Sequence, residues 1–305
     1  MNQTKSLFEQ YIDTIPSGQM RINAKGTWKW VSSYLKSHNM EITNIDRAQI
    51  SALLRSRATP IFTTMRNRVA TLRGFYEFCV LHGVLERNPM ADFSYRDIDY
   101  TDSFRQCFWP NYLTLLNTLK QLWATDEGLY IYPVVTLAWI GVPVAEAPIL
   151  PDSQVSIDNR VVHSSIGNLP LSEEMADVLN QYRNFSSSRR ANRITMIRTY
   201  QSDAFLYRLD ILNRLESDCS SAPVNISSVI AEANKILTKK HLCTPLKYNN
   251  LVKSGCLRRM CVMEYEGHPY EEIINYGRKF LKPPAGYPGD ATFMYECYKK
   301  AFDSK

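Results

Sequence analysis

Long apolar runs are missing from this chain: nothing among its 305 residues approaches the roughly 18 consecutive apolar positions that a membrane-crossing helix needs. The expectation is therefore no membrane role. Glycine is scarce, at 12 residues, while 45% of residues are apolar and 11% aromatic, which is too apolar a mixture for intrinsic disorder. The seven cysteines (79, 107, 219, 243, 256, 261, 297) are odd in number, scattered, and lack a Cys-x-x-Cys pair. That spacing argues against a disulfide framework and a zinc finger, and leaves reduced packing residues. The five histidines are equally dispersed, with no pair one helical turn apart, so neither a metal nor a cofactor is expected. Residues 1 to 6 have no apolar signal core behind them, so the chain is expected in the cytoplasm, associated with the nucleoid.

The net charge of +6 is modest, but it is unevenly placed. Residues 21 to 73 hold ten bases (Arg21, Lys25, Lys29, Lys36, Arg47, Arg55, Arg57, Arg66, Arg68, Arg73) against two acids, Glu41 and Asp46, a net of +8. A basic zone that dense on helices is the electrostatic footprint of nucleic-acid binding. The same stretch reads as a small helical domain. Residues 6 to 14 suggest a short amphipathic helix broken by Pro16-Ser17-Gly18, and residues 23 to 36 carry Trp28, Trp30, Val31, Tyr34 and Leu35 at helical spacing. Both tryptophans are expected in the core. Asn44-Ile45-Asp46 offers caps for a helix over 47 to 55. The next helix opens at Thr63-Thr64, sets Val69, Leu72, Tyr76, Cys79 and Val80 along one stripe, and closes at Gly83. On it Arg66 and Arg73 lie seven residues apart, hence on one face, with the small Ala70 between them. Such a face lets a phosphate or a groove floor come close.

Around Asn88-Pro89 the helical pattern stops, and residues 92 to 103 are polar and mixed in charge, as in a hinge. Beyond it, an apolar helix over 134 to 140 ends at Gly141. Short strand-like pieces follow at 155 to 158, 160 to 164 and 169 to 171, with Asp158-Asn159 as a turn signal. Ser172-Glu173-Glu174 then caps a helix through Tyr182. Helical periodicity governs most of the remainder, with a proline loop around Pro283-Pro284 and Tyr287-Pro288-Gly289 before a last helix.

This order of pieces resembles the tyrosine recombinases, the phage-integrase family, over nearly the whole chain. Asn67-Arg68-Val69-Ala70-Thr71-Leu72-Arg73-Gly74-Phe75-Tyr76-Glu77-Phe78 is similar to the last major helix of the family's core-binding domain, and Asn88-Pro89 to its Asn-Pro exit. Gly141-Val142-Pro143-Val144-Ala145-Glu146-Ala147 resembles the Gly-Leu-Arg-x-x-Glu-x motif. Asn168-Leu169-Pro170-Leu171-Ser172 resembles the Pro-Leu-Ser after the β-hairpin, and Ser202-Asp203-Ala204-Phe205-Leu206 the Leu-Phe strand segment. The resemblance implies a mainly α fold with a small β-sheet, a two-domain clamp. Its parts would be a helical core-binding domain at 1–95, a linker at 96–106 and an α+β catalytic-type domain at 107–305.

Enzymes of this family attack a DNA phosphodiester with a tyrosine, while two arginines, a lysine and two His-like groups hold the phosphoryl oxygens and move protons. Where the first arginine belongs this chain has Pro143, whose side chain can neither donate a hydrogen bond nor carry charge. The hairpin Val161-Val162-His163-Ser164-Ser165-Ile166-Gly167 contains no lysine, and His163 is a weak substitute. In the His-x-x-Arg box Asn249 and Val252 take the two positions, or Lys253 and Cys256 in a second alignment, with Arg258 and Arg259 nearby. Arg278 stands at the third His-like position and cannot give up its proton near neutral pH. Tyr295, in Thr292-Phe293-Met294-Tyr295, matches Thr-x-x-Tyr, although its gap from Arg278 is long; Tyr287 sits nearer the usual spacing but in the proline loop. Losing one preorganised oxyanion stabiliser costs about 10²- to 10³-fold in rate, so a chain lacking several is expected not to be an enzyme.

The reading that follows is a sequence-specific double-stranded DNA-binding protein on an inactive recombinase fold, acting as a transcriptional repressor of a prophage or mobile element and so of lysogeny. The DNA-contacting candidates are Arg21, Lys25, Lys29, Arg66, Arg68 and Arg73 in the first domain. In the second they are Arg189, Arg190, Arg193, Arg198, Lys253, Arg258 and Arg259. A regulatory peptide or protein that relieves binding is the other partner expected, and the chain itself is expected as a monomer or weak dimer. Two alternatives stay open: an active, divergent recombinase using Tyr295, and an accessory directionality protein bound beside an active enzyme.

Overall fold

The computed structural model describes residues 6–122, 131–184, 187–189, 195–198, 203–206, 209–211, 224–239, 245–281 and 289–302. The chain divides into two compact units, Met1–Phe104 and Arg105–Lys305. It is mainly α with small β-sheets.

Unit 1 is built on four helices. A capping box between Ser6 and Glu9 opens α1 (Leu7–Thr14), with the Ser6 N–H donating to Glu9 Oε2 at 2.7 Å. Helix α2 (Gly18–Ser37) starts five residues earlier than its apolar periodicity suggests, because the Ser17 hydroxyl accepts from Met20 N and makes the Pro-Ser-Gly break an N-cap. A second capping box, Asp46 with Gln49, opens α3 (Arg47–Arg55). Helix α4 (Phe62–Leu81) buries Val69, Leu72, Tyr76 and Cys79 as the stripe predicts, and also Phe75 and Phe78. The core joins α1, α2 and α4 through aromatic rings: Phe8 stacks on Trp28 at 4.1 Å between centroids and lies 5.0 Å from Phe75.

The expected linker is ordered structure. Residues Tyr95–Asp97 form a 3-10 turn, and α5 (Thr101–Cys107) follows. Phe93, Ile98, Tyr100 and Phe104 are buried, with the Tyr100 ring edge-on to Phe62 at 5.3 Å. Polar residues dominate this stretch in composition, but its few large side chains are all used for packing.

Unit 2 is centred on α7 (Ile131–Ile140), all ten of whose residues are buried. Helix α6 (Tyr112–Leu122) precedes it. Gly141 ends α7 at a φ of +104°, a backbone that L side chains rarely adopt. An antiparallel sheet of β1 (Val155–Ser156), β2 (Val161–Ser164) and β3 (Gly167–Pro170) follows, ordered β1-β2-β3 with Val162 opposite Leu169. Helix α8 (Glu173–Arg183) is capped by Ser172. A second antiparallel sheet, β4 (Ser187–Arg189), β5 (Thr195–Arg198) and β6 (Leu209–Ile211), was not anticipated from its Ser- and Arg-rich sequence. Helices α9 (Ile226–Lys239), α10 (Tyr248–Tyr265), α11 (Tyr270–Leu281) and α12 (Gly289–Phe302) complete the unit. Gly255 lets α10 pack onto α7, since a Cβ there would collide with the Trp139 carbonyl. The hydroxyl of Tyr248 donates to Val142 O at 2.9 Å, and that of Tyr298 to Trp109 O at 2.8 Å. Among the described residues no helix is long and apolar enough to cross a membrane.

Candidate nucleic-acid interface

Helix α2 buries Ala24, Thr27, Val31 and Leu35 against the core, so the opposite side of the helix faces solvent. On that side Arg21, Lys25, Lys29 and Lys36 are all exposed, and the twenty residues of α2 include no acid. Arg21, exposed as a residue, also donates from its guanidinium Nε to the Ile15 carbonyl. These positions form a surface of one sign on α2.

The arginines of α4 are placed differently. Arg66 and Arg73 do share a face, as their spacing predicts, but residues 88–97 cover it. Arg73 donates from Nε to Met90 O at 3.2 Å and from Nη2 to Phe93 O. Arg66 donates to the Tyr95 hydroxyl at 3.0 Å and sits 4.6 Å over that ring. Arg68 donates to the Arg57 carbonyl and lies 5.5 Å over the Trp30 ring. Burial, with Arg57 alongside, lowers its pKa. All three are half-buried and engaged within the unit. Their carbonyl partners lie eleven to twenty residues away in sequence, beyond what helical spacing can reveal.

In unit 2, Arg189 and Arg198 lie on β4 and β5, at opposite ends of their ladder, since Arg189 pairs with Thr195. Arg190 and Arg193 fall outside the described residues, as does Tyr287.

At the first-arginine position, Pro143 opens a turn whose carbonyl accepts from Glu146 N at 2.9 Å and Ala147 N at 3.0 Å. Glu146 in turn holds the β2–β3 tip. Its carboxylate accepts from Ser164 Oγ at 3.0 Å and from Ser165 N at 2.9 Å. The role of Glu146 follows from these contacts with Ser164 and Ser165 rather than from its place in a motif. His163 is exposed and bonded through Nδ1 to Asn168 Oδ1 at 2.8 Å, side by side with its cross-strand partner.

Asn249 is exposed on the first turn of α10, and Val252 is half-buried. Lys253 is half-buried, and desolvation lowers its pKa. Arg258 and Arg259 point elsewhere. They line a cavity of about 620 Å³ with Tyr112, Trp139, Glu174, Met175 and Tyr276, a lining that includes neither Pro143 nor Tyr295. Arg259 also pairs with Glu266 at 3.2 Å. Arg278 is exposed and donates to Asn275 Oδ1 at 3.0 Å.

Tyr295 is 0% exposed. Its hydroxyl donates to Glu264 Oε2 at 2.6 Å and to Met260 O at 3.3 Å. Burial first, then the Glu264 hydrogen bond, push the phenol pKa up. Lys299 completes the cluster, 2.8 Å from Glu264 Oε1. A nucleophilic tyrosine needs access to phosphate and help in losing its proton. Here the hydroxyl is enclosed, and its acceptor favours the protonated form. Among the described residues no group of His, Cys, Asp and Glu is arranged to hold a metal ion.

No protein-family model and no curated protein matches this sequence. Among solved structures, the chain is similar to XerA recombinase at 12% identity and a TM-score of 0.41, covering 97% of this chain and 96% of that one. It is similar to the Tn1549 transposon integrase in complex with a circular intermediate DNA at 14% identity and a TM-score of 0.40, covering 97% and 95%. It is also similar to a lambda integrase dimer bound to a COC′ core site at 11% identity and a TM-score of 0.38, covering 98% and 96%.

Proposed function

We propose that this protein binds double-stranded DNA sequence-specifically and holds it without cutting it, as a repressor at promoters of a prophage or mobile element. The observation that carries the DNA-binding part is the exposed, acid-free basic face of α2. Four bases engaging phosphates would release condensed counterions, giving a slope of log K against log salt of about −3 to −4. Two placements support the absence of cleavage: Pro143, with no charge for a phosphoryl oxygen, and Tyr295, enclosed and bonded to Glu264. Occupying a promoter would then exclude polymerase. A regulatory peptide or protein that lifts this occupancy fits the same reading.

Sheared genomic DNA from the host, incubated with the protein at moderate salt and sequenced after retention, tests the proposal. A discrete motif near promoters is the expected result. A motif confined to recombination sites would replace the repressor with an accessory recombination role, and the absence of DNA retention at any salt would end the DNA-binding reading.

A further inference from the structure

The outward face of α2 carries a glycine with no internal reason to be there. Residues Ile22, Gly26, Lys29 and Ser33 recur at helical spacing and are all exposed, opposite the buried Ala24, Thr27, Val31 and Leu35. Glycine in a helix interior is less favourable than alanine, and its usual justification is a close neighbour or an unusual backbone. Gly255 has such a neighbour in the Trp139 carbonyl, whereas a Cβ built on Gly26 meets nothing within 4 Å. Among the described residues nothing comes close to Gly26, so the space beside it is open to a ligand. A second copy of α2 is excluded by charge, since four bases would face four bases with no acid on either helix. A lipid surface needs a broad outward apolar face, and the large apolar side chains that α2 exposes are only Met20 and Ile22. A polyanion with a concave surface fits.

Resting on the DNA-binding reading, we propose that Gly26 is the point of closest approach between α2 and a DNA major groove. The groove admits an α-helix. With no side chain at Gly26, the helix settles flush against base edges. Ile22, 63% exposed, then lies beside them, where an apolar side chain can touch a thymine methyl. Arg21, Lys25, Lys29 and Lys36, all exposed on the same helix, would reach the phosphates.

The test uses the full chain and a short fluorescent duplex carrying the motif that the wild-type protein retains. Gly26→Ala should raise Tm by a few degrees and yet weaken binding about tenfold or more, with an unchanged salt slope. Lys25→Gln, the phosphate control, should lower affinity and salt slope together. Ile22→Ala should remove the loss of affinity that the wild type shows when thymine is replaced by deoxyuracil. If Gly26→Ala melts higher and binds as tightly as the wild type, the inference falls while the DNA reading stands. If Gly26→Ala melts lower, a second variant, Gly26→Ser, must still bind about tenfold more weakly at a temperature where circular dichroism shows it folded; equal affinity there also overturns the inference. A wild-type protein that binds no duplex sinks both together.

Discussion

Helices α2 and α4 carry comparable numbers of bases, four and three, but use them in opposite ways. Lys25, Lys29 and Lys36, with Arg21 tied at Nε to the Ile15 carbonyl, stand exposed on a helix without acids, while Arg66, Arg68 and Arg73 turn back, half-buried, onto Tyr95 and the carbonyls of Arg57, Met90 and Phe93. The chemistry of the side chains accounts for part of the difference. A guanidinium presents five donors in a planar fork and can satisfy two carbonyls at once, so it serves as an internal clamp; an ammonium on a flexible stem serves better as a point charge in water. Segment charge therefore overstates the binding surface of unit 1. The same inward turn recurs in unit 2, where Tyr295 and Glu264 satisfy each other.

The contrast can be broken most directly at Arg73. Replacing it with methionine removes two hydrogen bonds from a charged donor and should cost about 2–3 kcal/mol in urea unfolding. If stability is unchanged and DNA affinity drops instead, α4 is a binding helix after all. The paired change Lys25→Gln with Lys29→Gln is the mirror image. It should leave stability within about 0.5 kcal/mol while reducing the magnitude of the salt slope by about 2. Tyr295→Phe comes next: loss of the hydroxyl should destabilise unit 2 by about 1 kcal/mol and leave DNA retention as it was.

The smallest effect concerns pH. The Lys299 hydrogen bond, then that of Tyr295, hold the Glu264 carboxyl below its usual value. A carboxylate whose folded pKa is depressed adds stability above its unfolded value, and this is lost as pH falls through the folded one. Glu264→Gln should therefore flatten the acid limb of a stability-versus-pH curve below about pH 4.5. An unaltered limb would show that the cluster is too solvated to matter.

Much of the architecture was legible from spacing alone. The α4 stripe, the turn between β1 and β2, and the stop at Gly141 all follow from period, turn residues and one glycine. Position 143 was legible as well, because a proline excludes side-chain donors wherever it sits. Three things were hidden. Ser17 reads as part of a break until its hydroxyl is seen capping α2. Strands β4 to β6 are only three or four residues long, too short for their alternation to stand out from the helical periodicity around them. One partner of Arg73, Phe93, comes from a segment whose composition suggests a hinge. Contacts between distant segments decide which charges stay free, and spacing along one helix does not carry that information.

The central claim, binding without cleavage, is tested most directly by mixing the protein with duplex carrying its retained motif, denaturing in detergent, and looking for protein-linked DNA. The account predicts tight binding before denaturation and no covalent adduct after it, for the wild type and for Tyr295→Phe alike. An adduct formed by the wild type and absent from Tyr295→Phe would contradict it, and would mean that Tyr295 leaves Glu264 to attack phosphate.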